Sequence, residues 1–351
     1  MGSTHNQTEM VRRLFDIVER FEDANLAVIG DMTVDIHVYG RPHRLSREAP
    51  VVIVQYEGEA AAPGCAANVV NNLCALDAHV LPIGVLGDDE PGRSLVAMFS
   101  SNNVQKEGFL FEPARCTVTK TRIFAGDTHT SKQQMIRVDR ELSKPLEAET
   151  ERRVIALLER AKRCSDAIIV SDYGYDINTP RVRSTLMDIA ATKPVVIDSR
   201  YRLTEFKGAA VIKPNESEAK IAAGIDGDSD EHIYQAGRRL LEMVLSRAVI
   251  LTRGNKGLVV FERDKEPATV PICDTAHVTG ITDVSGAGDT VASVLGLGLA
   301  CGASYLEAAQ LATYAAAVVV TKRGAATVTA QELRETIEED LGENYQGSQQ
   351  T

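Results

Sequence analysis

The run Asp283-Val284-Ser285-Gly286-Ala287-Gly288-Asp289-Thr290, followed by the apolar stretch Val291 to Ala300, holds the residue types that a group-transfer site needs. Two glycines ahead of a helix let backbone N–H groups converge on one point with no side chain in the way, and the helix dipole makes that point attractive to anions. An aspartate there is unfavourable for plain anion binding. Its task is then to take a proton from a hydroxyl about to attack a phosphoryl group: Asp289 is the expected catalytic base, and the amides of Gly286, Ala287 and Gly288 are expected to stabilise charge on the transferring group. The bland alternative is an N-capped helix in which Asp289 satisfies free N–H groups and does nothing more. No G-x-x-x-x-G-K-S/T occurs in the chain, which argues against a P-loop kinase.

Other residues offer the contacts a substrate requires. Asp31 and Asp35 directly follow an apolar strand-like run, where carboxylates accept hydrogen bonds from sugar hydroxyls. For Asp31 a turn or capping role competes equally. Gly64 and Asn68 open a helical stretch, Ala66 to Ala75, the glycine permitting close backbone approach and the amide offering donor and acceptor together. Lys120 and Arg122 alternate onto one strand face, with Arg137 nearby in sequence pattern. A plain monosaccharide needs no such cations, whereas a sugar carrying a phosphate does; solvated surface charge is the default for any one of them. Ser171-Asp172-Tyr173 and Asp198-Ser199-Arg200 also follow strand-like runs and are placed to reach substrate or phosphates. The histidines form no ligand-spaced cluster, so His37 and His43 read as surface-sheet residues and not as a zinc site.

The elements that must position these groups are legible as alternating βα units. Leu26 to Ile29, Val80 to Ile83, Ala167 to Val170, Val195 to Ile197, Ala210 to Ile212 and Ala248 to Leu251 read as buried parallel strands, and Glu149 to Arg163 and Glu231 to Leu245 as helices between them. Such a sheet is covered on both faces and binds ligands at the carboxyl ends of its strands. Ile36 to Tyr56 and Cys116 to Asp139 break the rhythm and read as strands of a separate small sheet. One kinase-sized domain over residues 10–340 is expected, with flexible polar tails at 1–9 and 343–351.

With 351 residues and 44% hydrophobic content, the chain can bury a large core. A net charge of −11 without a basic stripe argues against a nucleic-acid partner. No apolar run reaches membrane-spanning length, the amphipathic start is not a secretory signal, and the widely spaced cysteines read as reduced and packed, so a cytoplasmic protein is expected.

Five blocks in order carry a family resemblance: Gly30-Asp31-Met32-Thr33-Val34-Asp35, Pro63-Gly64-Cys65-Ala66-Ala67-Asn68, Lys213-Pro214-Asn215-Glu216-Ser217-Glu218, Thr252-Arg253-Gly254-Asn255-Lys256-Gly257 and Asp283 to Thr290. Together they resemble the ribokinase (PfkB) carbohydrate kinases. Arg44 to Pro50, Thr119 to Arg122 and Gln134 to Asp139 are most similar to the heptose 7-phosphate kinase branch. The resemblance implies a ribokinase-like three-layer α/β/α sandwich with a mainly parallel central sheet. It also implies a small β-sheet lid, often a dimer contact, so a homodimer is expected. It favours Asp35 over Asp31 as sugar ligand and gives Lys120, Arg122 and Arg137 a sugar phosphate to hold. It assigns ATP to Lys213, Asn215, Thr252, Gly254 and Gly257, with the adenine near Ala312 to Gly324. It gives Glu218 a place in the water shell of Mg²⁺, and leaves room for K⁺ at a loop of carbonyls around Asp283, Ser285 and Lys322 to Gly324. The implied reaction is phosphorylation of a heptose 7-phosphate to the 1,7-bisphosphate. Some relatives add an adenylyltransferase domain; no H-x-G-H element occurs here, so the kinase alone is expected. The chain departs from the pattern at Cys65, where a second glycine is usual, at Gly174-Tyr175-Asp176, and at Asp198-Ser199-Arg200, where Asp-Pro-Lys is usual. Rival readings are a kinase of the same family for another sugar, sugar phosphate or nucleoside, and a catalytically silent sugar-phosphate-binding protein.

Overall fold

The computed structural model describes residues 2–126, 132–141, 144–273 and 283–347. Strands β1 (Asn25–Gly30), β4 (His79–Gly87), β5 (Phe109–Glu112), β8 (Ala167–Asp172), β9 (Val195–Ser199), β10 (Val211–Ile212), β11 (Ala248–Thr252), β12 (Leu258–Glu262) and β13 (Ala268–Val270) form one sheet. Its order is β13-β12-β11-β10-β9-β8-β1-β4-β5. The seven strands from β11 to β5 pair in parallel, and β12 and β13 add antiparallel at one edge. Period-two alternation splits each central strand between two cores. Leu26, Val28 and Ile169 face a core shared with helices Ala66–Ala75, Ala287–Ala300 and Tyr305–Val320. Ala27, Ile29, Ile168 and Val170 face the other, shared with helices Ala148–Cys164, Pro180–Ala190 and Asp230–Val244. With both faces covered, these strands are continuous apolar runs, which is why the sequence shows them so plainly.

Chain order moves outward from β1 to β4 and β5 on one side, and from β8 to β11 on the other. The switch point therefore lies between β1 and β8, and open α/β sheets leave a crevice for ligand beyond the carboxyl ends at such a point. Gly30 sits there without a side chain of necessity: a Cβ would lie 2.1 Å from the Ser171 carbonyl oxygen and 2.8 Å from the Ala66 Cβ.

The small sheet consists of β2 (Met32–Leu45), β3 (Val52–Cys65), β6 (Val118–Ala125) and β7 (Gln133–Arg140), in the order β3-β2-β6-β7. Its outer pairs are antiparallel and β2 runs parallel to β6. The strands extend beyond the expected 36–56 and 116–139, because Met32 to Val34 keep pairing with Cys65 to Pro63 up to the main sheet. The lid thus starts one residue after β1, and β3 runs directly into the helix that begins at Ala66. The first helix spans Gly2–Val18 and the last Ala330–Gly347, so helix reaches into both segments expected as flexible tails. Extending an existing helix needs no new nucleus. Met1 and residues 348–351 lie outside the described residues.

Candidate active site

Gly286 caps the helix Ala287–Ala300 at φ +79°, the left-handed conformation that glycine adopts without strain. That turn delivers Asp289 into the first helical turn, where it is buried. Among the described residues its carboxylate bonds side chains and not the helix N–H groups. Oδ2 accepts a hydrogen bond from Asn68 Nδ2 at 2.8 Å and Oδ1 accepts one from the Tyr173 hydroxyl at 3.0 Å. Asn68 is fixed in turn by Asn72, whose Nδ2 donates to the Asn68 carbonyl at 2.9 Å and whose Oδ1 accepts from Thr290 Oγ1 at 2.8 Å. Burial raises the pKa of Asp289; the bonds from Asn68 and Tyr173 and the Lys213 charge oppose it, and Asp35 adds to the rise. A buried carboxylate lifted from its ordinary range yet held by donors is a competent proton acceptor.

Asp283 staples the turn to a second segment: Oδ1 accepts from Ser285 N at 3.0 Å and Oδ2 from Gly324 N at 2.8 Å. Burial works against this carboxylate, but those bonds outweigh it and lower its pKa. The Ala287 amide donates to the Val284 carbonyl at 3.2 Å, so it is committed within the turn, contrary to its expected role toward a phosphoryl group. Gly286 N–H makes no backbone hydrogen bond among the described residues, and Gly288 lies in the first turn, where helix N–H groups have no intrahelical acceptor.

A cavity of about 1170 Å³ opens between this turn and the lid. Asp35, Gly64, Asn68, Lys120, Arg122, Arg137, Asp283, Ser285, Gly286 and Asp289 all line it. Asp35 Oδ2 pairs with Arg122 Nη1 at 3.1 Å, while its Oδ1 has no hydrogen-bond partner among the described residues. Gly64 lets the backbone pass so close that a Cβ would lie 2.9 Å from that oxygen. Cys65, in the adjoining position, takes φ +51°, which an L-residue adopts only under strain. Its thiol, pushed up to about 12 by burial, accepts from Lys120 Nζ at 2.9 Å. The same ammonium lies 4.9 Å from the Tyr173 ring centroid, a cation–π contact beside Asp289. Arg137 pairs with Asp139 at 2.9 Å.

Residues 23–332 match the family described as pfkB family carbohydrate kinase. The chain belongs to the pfkB family of carbohydrate kinases. It is 36% identical over 325 residues to a protein named "Bifunctional protein HldE" from Desulfatibacillum aliphaticivorans, which covers 92% of this chain and 65% of that one. It is 38% identical over 317 residues to a protein of the same name from Caulobacter vibrioides, covering 89% and 63%. The chain therefore spans less than two thirds of the length of these relatives. In structure it is similar to Arabidopsis thaliana ribokinase complexed with ribose and ATP, with a TM-score of 0.69 at 18% identity over 91% of this chain and 98% of that chain. It is also similar to Escherichia coli phosphofructokinase-2 in complex with substrates and products, with a TM-score of 0.73 at 13% identity over 90% and 99%. The fold is ribokinase-like, with a large, mostly parallel sheet between helical layers and a smaller sheet beside it.

Two residues expected to meet the sugar in this pfkB kinase lie beneath the cavity and do not line it. Asp31 Oδ2 accepts from the backbone N–H groups of Tyr173 at 2.7 Å and Tyr175 at 3.1 Å. Burial, then the Asp172 charge, pushes its carboxyl up to about 7. Asp172 accepts from the Ser199 hydroxyl at 2.6 Å and pairs with Arg202 at 3.0 Å, with its side chain fully buried. Asp172 ends β8 one residue before Tyr173, and Asp31 sits in the break between β1 and β2, so both are held in the layer below while Asp35 and Tyr173 line the cavity.

Where ATP is expected from the sequence, the ends of β10 and β11 meet through a bridge between Asn215 and Thr252, and Thr252 N donates to the Pro214 carbonyl at 2.9 Å. Asn215 and Glu218 form a reciprocal capping box, with bonds of 2.8 and 2.9 Å. Gly254 and Gly257 have φ +56° and +82°, and a Cβ on Gly257 would lie 2.1 Å from the Val270 carbonyl oxygen. Lys213 joins this strip to the turn that carries Asp289. Its ammonium pairs with Asp198 at 3.1 Å and lies 3.8 Å from where a Cβ on Gly288 would stand. Burial disfavours that ammonium, but Asp198, Glu218 and Asp289 more than offset it, and its pKa rises.

Reading the sequence missed the far end of the cavity. Tyr39 stacks on Phe124 at 5.8 Å, His37 meets Phe124 edge-on at 5.5 Å, and Glu57 pairs with both Arg41 and Lys132. The signal was available: Asp35, His37, Tyr39 and Arg41 alternate along β2, so all four share the face that lines the cavity.

Proposed function

We propose that this chain is an ATP- and Mg²⁺-dependent sugar-phosphate kinase whose leading acceptor is D-glycero-D-manno-heptose 7-phosphate, phosphorylated at the anomeric hydroxyl to the 1,7-bisphosphate. The observation that carries this reading is Asp289, held by two side-chain donors at the mouth of a glycine turn and facing a cation-lined cavity. The acceptor hydroxyl gives its proton to Asp289 as its oxygen attacks the γ-phosphorus in line, and the bond to the ADP oxygen breaks. The Gly286 and Gly288 amides and the Lys213 ammonium stabilise charge on the moving group. Asp35 and Asn68 orient the sugar hydroxyls. Mg²⁺ would neutralise charge on the nucleotide phosphates. Among the described residues no cluster of three or more His, Cys, Asp or Glu side chains can hold a metal. Such a donor set suits an ion held largely by water and phosphate, with Glu218 in the outer sphere. By holding Ser285 and Gly324 together, the Asp283 staple orders the two segments whose carbonyls we assign to K⁺. No described helix is long and apolar enough to cross a membrane, and we place the kinase in the cytoplasm, where ATP is supplied.

A panel of sugars and their phosphates, scored by ATP consumption, tests the acceptor. Highest turnover is expected with the heptose 7-phosphate; preference for a sugar without a phosphate sinks the reading. Arg122→Ala is expected to weaken binding of the phosphorylated sugar by roughly ten- to a hundredfold more than that of its unphosphorylated parent. The parent is the necessary control because Arg122 also neutralises Asp35. Equal losses by calorimetry for the two sugars remove Arg122 from the phosphate site.

The lid also supports a homodimer. Ile136 and Val138, which pair with Ile123 and Thr121 on the sheet face turned away from the cavity, are 54% and 52% exposed. A second copy of the lid would cover that apolar face and protect the sheet edges. Light scattering on dilute protein should give twice the chain mass, and Ile136→Lys should halve it; a monomer at micromolar concentration ends this part of the proposal.

A further inference from the structure

The loop from Asp172 to Asp176 carries Tyr173 to Asp289 and is strained at its far end. Gly174 and Asp176 both take positive φ, +91° and +71°, and the second is strained for a residue with a side chain. Contacts from two sides outside the loop hold it. Arg202 bridges Asp172 at 3.0 Å and Asp176 at 3.3 Å from one side. From the other, a single oxygen of Asp31 gathers the N–H groups of Tyr173 and Tyr175. Asp31 is itself tied to three elements, since its N–H donates to the Ser171 carbonyl and its carbonyl accepts from Ala66 N, each at 3.1 Å. The Ala66 end of that link begins the helix that carries Asn68, the other donor to Asp289. The buried Asp31 carboxylate thus holds the backbone behind Tyr173, while the main-chain carbonyl of the same residue meets the start of the helix behind Asn68.

We infer that Asp31 is a positioning residue for phosphoryl transfer, clamping the Tyr173–Tyr175 backbone so that the Tyr173 hydroxyl holds Asp289 aimed and ionised. This rests on the reading of Asp289 as base. The Asp289 charge and burial raise the Tyr173 hydroxyl well above its ordinary pKa, so it stays a donor through the working pH range. Asp31 acts through two peptide N–H groups, and the amide oxygen of an asparagine can accept the same pair.

The test is the pH dependence of kcat, measured on the full chain with ATP and the best acceptor from the sugar panel. Tyr173→Phe removes a donor to an ionised carboxylate, so the acid limb of the profile should move up by roughly one to two pH units. Asp31→Ala should move it the same way and lower kcat by about tenfold, with the acceptor KM unchanged within twofold; Asp31→Asn should recover most of the loss. In the Tyr173→Phe background, Asp31→Ala should add no further shift. If Asp31→Ala does not fold, Asp31→Glu carries the same expectation, since it displaces the carboxylate by one methylene and keeps its charge. An acid limb unmoved by Tyr173→Phe overturns the inference, as does an Asp31 variant that raises the acceptor KM and leaves kcat intact, which would make Asp31 a sugar contact. Asp289→Asn separates the two readings: if it keeps turnover, the base assignment itself fails, whereas if it abolishes turnover and Tyr173→Phe leaves the limb in place, only the role of Asp31 and Tyr173 falls.

Discussion

Asp289→Asn is expected to lower kcat by roughly two to four orders of magnitude while nucleotide affinity stays nearly constant. The substitution preserves shape and most of the hydrogen bonding. Its amide oxygen can accept from Asn68, and the Tyr173 hydroxyl can turn to accept from the new NH₂. What disappears is the ability to receive a proton from the acceptor hydroxyl. Because the strip we propose for ATP, at Asn215, Thr252, Gly254 and Gly257, is built on other strand ends, nucleotide affinity is expected not to depend on that carboxylate. Steady-state rates and calorimetric titration with a non-hydrolysable ATP analogue check both halves. Near-normal turnover would leave Asp289 with no role in catalysis.

Gly286→Ala is expected to cost about a hundredfold in kcat, from one added methyl group. At φ +79° an alanine is strained by about 1–2 kcal/mol. Its Cβ would also stand 2.7 Å from Asn68 Nδ2, closer than non-bonded atoms approach. Either the turn or Asn68 must move, and Asn68 is a donor to the base; a displacement near 1 Å at a reacting group costs on the order of a hundredfold. Gly224→Ala supplies the control. It has φ +61° and no atom within 4 Å of the added Cβ, so it should show a similar loss of stability in thermal unfolding with turnover unchanged. Equal kinetic losses in the two variants would show that global destabilisation, and not the displaced Asn68, lowers the rate.

Much of this molecule was determined locally, and so is readable from the chain. Strands buried on both faces must be continuous apolar runs, which is how Leu26 to Ile29 and Ala167 to Val170 announced β1 and β8. A glycine pair beside an apolar helical run pointed to a tight turn, and Gly286 does take the left-handed conformation there while Gly288 falls within the first helical turn. The family followed from blocks whose order along the chain is itself sequence information. The resemblance favoured Asp35 over Asp31, but the physical reason one carboxylate faces the cavity and another does not is tertiary. Asp31 and Asp35 look alike four residues apart, as do Asp172 and Asp198 at the ends of neighbouring strands. Asp31 and Asp172 are consumed by backbone and arginine partners under the site, whereas Asp35 keeps, among the described residues, an unpaired oxygen at the cavity. The partners that make these distinctions lie 142 residues away for Asp31, and 221 and 116 residues away for the two donors to Asp289. Periodicity and turn chemistry act over a few residues, so they fix where a side chain leaves the backbone; what it then meets depends on which strand ends the sheet brings together at its switch point.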